Sequence, residues 1–177
     1  MQFSLSKSIQ VLERTPTVLN LLLSNLSDEW ILSNEGADTW SAFDIVGHLI
    51  HGEKTDWLPR AEIILSNKSD KTFEPFDRFA QLRVSEGKSM GQLLDEFTAL
   101  RKVALNKLKS FNLQENDLSK TGTHPALGTV TLQELFATWT VHDLSHLAQV
   151  SRVMAKQYKD EVGPFSEYLT ILRTGLQ

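Results

Sequence analysis

A chain of 177 residues with 41 % hydrophobic and 23 % charged residues has the size and composition of one globular domain with a substantial core. Its formal net charge of −4 is mildly acidic and comes without a cluster of basic residues, which argues against a nucleic-acid partner. The sequence has no cysteine, and this excludes disulfides, a thiolate nucleophile and cysteine-bound zinc.

The first predicted helix covers about residues 5–26, where apolar residues recur at spacings of three and four and keep to one stripe. Pro16 lacks a backbone donor, so we expect a kink there or a helix that begins near Thr15. The second predicted helix covers about residues 42–65. The polar connection that follows, about residues 67–88, contains three phenylalanines but no periodic run, and we expect it to pack across one end of the domain.

Two more long helices are predicted, over about residues 90–111 and 132–158. Gly163 and Pro164 then break the chain before a short terminal helix over about residues 165–173. Each of the last three long helices begins with the pattern of a capping box: Ser41 with Asp44, Ser89 with Gln92, and Thr131 with Glu134. No alternating pattern bounded by turns predicts a strand.

Four amphipathic helices of this length bury their apolar stripes against one another. We therefore predict an all-α protein, a four-helix bundle with a short C-terminal helix, in a single domain over residues 1–177. We also expect a cytoplasmic protein without a membrane partner. The N-terminus lacks the basic and apolar regions of a signal peptide, and no apolar run approaches the roughly 20 residues that span a bilayer.

Three polar residues interrupt the inward stripe predicted for the fourth helix. The stripe runs through Leu135, Trp139, His142, His146, Gln149 and Val153. Burying an unpaired imidazole or amide costs roughly 1–3 kcal/mol, whereas two histidines four residues apart share one helix face and can hold one divalent ion. We expect His142 and His146 to bind a metal such as Zn, Ni or Fe, and Gln149 to orient a ligand or a bound water. The alternative is a pair of ordinary hydrogen-bonded core histidines.

A second alternative uses the same segment. His142 to His146, read as His-Asp-Leu-Ser-His, is one substitution from the H-E-x-x-H motif of zinc peptidases. Asp143 would then stand in the place of the general-base Glu, and Glu167 could be proposed as a third ligand. Against this alternative, no substrate-binding strands are predicted, and the shorter Asp side chain holds the base farther from the water.

Three stretches of the chain resemble the motifs of a known family. They are Thr39-Trp40-Ser41 followed by Val46-Gly47-His48-Leu49 and Glu53; Pro75-Phe76-Asp77-Arg78 followed by Leu93-Leu94-Asp95-Glu96-Phe97 and Leu100-Arg101; and Gly128-Thr129-Val130-Thr131-Leu132 followed by His142, His146 and Gln149. In this order and spacing they resemble the DinB-like superfamily, whose members include metal-binding four-helix bundles and bacterial thiol-dependent S-transferases.

The resemblance implies a four-helix bundle, often a homodimer, in which three histidines hold a divalent metal ion. Carried over by motif, the metal ligands are His48, His142 and His146. The family usually has a further His or Glu near His142, where this chain has Asp143. That departure leaves the role of Asp143 open.

Helical periodicity alone does not direct His48 toward the metal. His48 lies some 160° from Val46, which is at the centre of the apolar face of its helix, so an exposed His48 stays an alternative. His51, one turn away, competes as a ligand, and His124 in a loop is either a surface residue or close to the open end of the site. Glu53 falls on the apolar stripe of the same helix. It is therefore either a buried carboxylate with a partner or a residue at the edge of a bundle interface. The candidates for the surroundings of the metal are Gln149, Trp139, Glu53 and His51.

Three neutral imidazoles leave a coordination position open, which is typical of a catalytic rather than a structural ion. We therefore expect a metal-dependent enzyme that acts on a small molecule. It would activate either a low-molecular-weight thiol, as an S-transferase does, or water, as a hydrolase does. The alternative is a non-catalytic metal-binding stress-response bundle.

Overall fold

Four helical segments pack side by side in the computed structural model, which describes residues 1–173. The α-helices are α1 (Leu5–Leu12), α2 (Thr15–Leu23), α3 (Asp28–Leu32), α4 (Ala42–Thr55), α5 (Trp57–Leu65), α6 (Ala80–Val84), α7 (Met90–Ser110) and α8 (Leu132–Lys156). The bundle consists of α1 with α2, α4 with α5, α7, and α8. This arrangement confirms the predicted helical fold class.

Prolines divide two of the predicted helices. α2 begins at Thr15 with Pro16 as its second residue, where a helix does not need the missing N–H, so the first predicted helix is two helices. Pro59 is the third residue of α5 and cannot donate to the carbonyl of Thr55, and the helix breaks at Asp56. The prediction of one unbroken second helix is wrong at this point because it gave no weight to Pro59.

The starts of the long helices follow the predicted capping boxes. Both reciprocal hydrogen bonds form in each box, and α4, α7 and α8 begin at Ala42, Met90 and Leu132. Beyond α8, the short terminal helix is present as two 3-10 segments, Gly163–Tyr168 and Thr170–Leu172. Since a capping box needs only neighbouring side chains, it marks a helix start in the sequence itself.

The structure also contains a hairpin, although the sequence predicts no strand. β1 (Thr121–His124) pairs with β2 (Gly128–Thr131) in antiparallel fashion. Strands of four residues are too short to show an alternating pattern. A Cβ on Gly122 would come within 2.6 Å of the Phe73 ring, so glycine lets the hairpin pack directly on that ring. This packing places β1 against α5, so that His124 lies at the end of the bundle where α5 is found.

Two apolar clusters form the core, one toward each end of the bundle. One contains Val150 and Val153 of α8 with residues of α2, α4 and α7, and the other contains Leu132 and Trp139 with residues of α1, α5 and α7. The polar residues of α8 lie between the two clusters. Within residues 1–173, no helix is long and apolar enough to cross a membrane.

Candidate metal centre

Three histidine side chains from two helices meet between the two apolar clusters. α8 supplies His142 and His146, four residues apart, and α4 supplies His48. The Nε2 atom of His142 lies 3.1 Å from Nε2 of His48 and 3.1 Å from Nε2 of His146. One ring nitrogen of each histidine lies within 4.8 Å of the other two. Nitrogens bound at about 2.0–2.1 Å to a tetrahedral ion stand about 3.4 Å apart, so the cluster has the spacing of a three-histidine metal site.

His48 points inward because α4 is buried on several sides. The residue is only 6 % exposed. α6 packs so closely that a Cβ on Gly47 would overlap the Ser85 hydroxyl, and α7 and α8 cover other faces of α4. The alternative of a solvent-facing His48 is therefore wrong. Helical periodicity predicts one buried stripe, whereas this helix has neighbours around most of its circumference.

The polar residues of α8 flank its buried stripe instead of interrupting it. Asp143 is fully buried, whereas His142, His146 and Gln149 are half-buried. The prediction that these three residues occupy core positions is wrong in this respect, because Asp143 takes the core position with a charged partner on α7. The histidines instead form part of the wall of a cavity, where a ligand can reach them.

The surroundings hold the three imidazoles neutral. Burial, followed by the effect of the neighbouring His146, lowers the pKa of His48 to about 3 and the pKa of His142 to about 2. Burial also lowers the pKa of His146. His146 Nδ1 lies 2.7 Å from Gln149 Oε1, so Nδ1–H donates to the amide and Nε2 presents its lone pair to the cluster. Neutral imidazole is the form that binds a divalent ion.

A buried charged network adjoins the histidines inside the bundle. Arg101 of α7 donates from Nη1 to Asp143 Oδ2 at 2.5 Å, and from Nη2 to Asp143 Oδ1 at 3.0 Å and to Glu53 Oε1 at 2.8 Å. Trp139 Nε1 donates to the same Glu53 oxygen at 3.1 Å. Burial raises the pKa of Glu53, although Arg101 opposes this effect. Glu53 and Trp139 therefore connect the helices, and neither lines the cavity.

Three other residues singled out from the sequence lie outside the cluster. Asp143 is bound in the buried network and cannot act as the base of a zinc peptidase. Glu167 is exposed in the first terminal 3-10 segment and is not its third ligand. His51 is not part of the cluster: its Nε2 lies 3.4 Å from Thr55 Oγ1, and its ring lies 4.8 Å from the ring of Phe76.

A cavity of about 1200 Å³ opens at the histidines. Aromatic rings frame the cluster within it. The Trp40 ring lies 4.8 Å from the ring of His48, and the Trp57 ring lies 5.0 Å from the ring of His142. Three neutral nitrogen ligands beside an open, partly aromatic cavity provide a site for a metal ion and a small molecule together.

No sequence pattern indicates how the loop before α4 is held. Arg152 of α8 donates from Nε and Nη2 to the two carboxylate oxygens of Glu35, both at 2.8 Å. The two residues are 117 positions apart, and no local pattern links them. Their ion pair ties the loop to α8 and so holds Trp40 against His48 and His146.

Known proteins resemble this chain in sequence and in fold. Among solved structures, YfiT from Bacillus subtilis has a TM-score of 0.65 and 20 % identity, over 85 % of this chain and 89 % of its own. YfiT is described as “a probable metal-dependent hydrolase with an unusual four-helix bundle topology”. No curated protein matches the sequence. The model of the DinB superfamily matches residues 11–150, which is most of the chain, and the protein therefore belongs to the DinB superfamily.

Proposed function

We propose that the protein is a metal-dependent enzyme that activates a small nucleophile at a divalent ion held by His48, His142 and His146. The observation that carries the proposal is the convergence of three neutral imidazoles, with ring nitrogens within 4.8 Å of one another, at the wall of a large cavity. Zn, Ni and Fe all suit imidazole ligands. An ion with three neutral ligands keeps its full charge and an open position, and would supply the Lewis acidity that lowers the pKa of a coordinated water or thiol.

A small thiol is the nucleophile that these residues suit best, as in an S-transferase. Within residues 1–173, no carboxylate joins the histidines in the ligand cluster. Glu53 and Asp143 are bound to Arg101 and do not line the cavity. Activation of water profits from a general base, whereas a coordinated thiol is deprotonated outright. Since the sequence has no cysteine, the thiol would be a low-molecular-weight cosubstrate.

A hydrolase is the second candidate, and the description of YfiT favours it. The same ion would then activate water, and the base would come from the substrate, from the solvent or from a cavity carboxylate outside the ligand cluster. The third possibility is a metal-binding stress-response bundle without catalysis. Both enzyme candidates require a ligand to reach the metal through the cavity, whereas the binding-only protein does not.

Cobalt-substituted protein distinguishes the candidates. We expect a small thiol such as 2-mercaptoethanol to produce a thiolate-to-cobalt charge-transfer band, and the His146→Gln variant to lack both the band and stoichiometric cobalt. The matched control is His51→Ala, which leaves the cluster intact. If no thiol changes the spectrum while ester hydrolysis depends on metal, the hydrolase is correct. If neither occurs in metal-loaded protein, the binding-only function is correct.

Two further expectations belong to this proposal. The resemblance implies a homodimer, and sedimentation velocity of the metal-loaded protein measures its mass directly. A cytoplasmic location suits a reaction with a low-molecular-weight thiol, since the cytosol keeps thiols reduced.

A further inference from the structure

The cavity of the three histidines extends to a second polar group on α5 and β1. Trp57, whose ring contacts His142, lies one helical turn before Arg60 on α5. The Arg60 guanidinium carbon lies 5.2 Å from the centre of the Phe73 ring, and the edge of that ring faces His124 at 6.4 Å. All five residues line the cavity. A ligand at the histidines could therefore extend along Trp57 to reach Arg60 and His124.

Arg60 is buried with few partners for its five N–H donors. The residue is 8 % exposed, and its one carboxylate neighbour within residues 1–173 is Asp56. Nε lies 2.7 Å from Asp56 Oδ1, yet that oxygen has no hydrogen-bond partner, because the N–H bond is not directed at it. The pair thus offsets the charge of Arg60, and within residues 1–173 no protein acceptor is hydrogen-bonded to its Nη donors, which lie at the cavity. A buried guanidinium in this state is stabilised by an acceptor from a ligand.

His124 adds a donor of fixed direction. The backbone N–H groups of Ala126 and Leu127 donate to His124 Nδ1 at 3.1 and 3.2 Å. Burial, followed by the charge of Arg60, lowers the pKa of His124 and so favours the neutral ring. The neutral ring with Nδ1 as acceptor carries its proton on Nε2. Its free edge is therefore a hydrogen-bond donor beside a second donor, Arg60.

We infer that the small molecule handled at the proposed metal centre carries a carboxylate, which binds Arg60 and His124 at the other end of the same cavity. This inference rests on the proposed function for the role of the ligand, but the anion site itself is independent of the metal. A carboxylate accepts two parallel hydrogen bonds from a guanidinium, which a neutral amide does not match. A single negative charge also fits better than a phosphate dianion, because Asp56 already lies beside Arg60.

Matched ligands test the inference in protein freed of metal by a chelator and again in zinc-loaded protein. Hexanoate and hexanamide share one apolar chain and differ in the end group. Binding is followed through the indole N–H signals in heteronuclear NMR spectra, with Trp57→Phe identifying the signal of Trp57. We expect hexanoate to bind about 10-fold more tightly than hexanamide, as for a hydrogen bond to a charged group. The preference for hexanoate should fall to about 2-fold or less in the Arg60→Gln variant. It should also decrease in the His124→Leu variant.

Arg78→Gln is the matched control, since Arg78 lines the same cavity but is an exposed residue. It removes the same charge and should keep the preference. If Arg60→Gln does not fold, the double variant Asp56→Asn/Arg60→Gln removes the pair without leaving a charge unpaired. Equal binding of the two ligands to the wild type, or a preference that survives without Arg60, would overturn the inference. Tighter binding of hexyl phosphate through Arg60 would show that the ligand is a phosphate.

The two proposals fail separately in this experiment. If the metal-free protein prefers hexanoate to hexanamide, but the protein does not take up zinc when zinc is added, the anion site is supported and the metal centre is refuted. If the protein binds zinc stoichiometrically but shows no preference for hexanoate, the metal centre is supported and the anion site is refuted. Arg60→Gln should retain the zinc stoichiometry of the wild type, because Arg60 is not among the three histidine ligands proposed for the metal.

Discussion

His48 and His51 lie on the same helix but have different surroundings. His48 faces inward, with its Nε2 3.1 Å from that of His142, whereas Nε2 of His51 lies 3.4 Å from Thr55 Oγ1. One of the two rings is thus in the cluster and the other packs outside it on Phe76. Spacing along α4 does not distinguish them, since each is a histidine on a helix that is buried on several sides.

We predict that His48→Ala lowers the affinity for zinc by more than about 100-fold, because removing a ligand should cost at least as much as removing a residue that only orients one. His51→Ala should change the affinity by less than about 3-fold. Competition with a fluorescent chelator measures both constants, and circular dichroism checks that both variants are folded. Loss of zinc from His51→Ala with retention in His48→Ala would mean that the ligand on α4 has been misidentified.

At the scale of helices and strands, the sequence predicted what depends on neighbouring residues. The starts of α4, α7 and α8 follow capping boxes. The break at Asp56 is equally local, since Pro59 causes it, although the apolar pattern continues through it and predicts one helix. The four-residue strands of the hairpin carry too little pattern to be recognised.

The candidate site shows the same division. The spacing of His142 and His146 marked them as a pair, whereas His48 came from the family resemblance alone. Its inward direction depends on the packing of α6 against Gly47, and the position of Trp40 depends on the pair of Glu35 with Arg152. Such contacts join distant parts of the chain, so no local pattern announces them.

The Arg101 network connects three of the long helices, and its removal should be costly. We predict that Arg101→Met lowers the free energy of unfolding by about 3–5 kcal/mol, because Glu53 and Asp143 lose the cation that compensates their burial. Lys109→Met removes an exposed ion pair with Glu13 and should cost less than about 1 kcal/mol. Urea denaturation measures both values.

A second variant separates charge from packing in this network. The triple variant Glu53→Gln/Arg101→Met/Asp143→Asn removes all three charges and should recover part of the stability that Arg101→Met loses. If Arg101→Met is no more costly than Lys109→Met, the network does not hold α4, α7 and α8 together.

For the molecule as a whole, the buried histidines couple stability to pH. In the unfolded chain a histidine has a pKa near 6.5, whereas the folded protein lowers the pKa of His48 to about 3 and the pKa of His142 to about 2. As the pH falls below about 6.5, the unfolded state binds protons that the folded state does not bind. The free energy of unfolding therefore decreases on acidification from about 6.5 down toward about 3.

We predict that metal-free protein loses roughly 2 kcal/mol of stability for each of these histidines between pH about 7 and about 5. Urea denaturation in the presence of a chelator measures the loss. The double variant His48→Gln/His142→Gln should lose about 4 kcal/mol less over the same range, since neither glutamine takes up a proton. Zinc should stabilise the wild type at pH about 7, but not the double variant, because only the native state of the wild type has the three ligands. The same acid sensitivity in both proteins would mean that other groups, and not the histidine cluster, control the response.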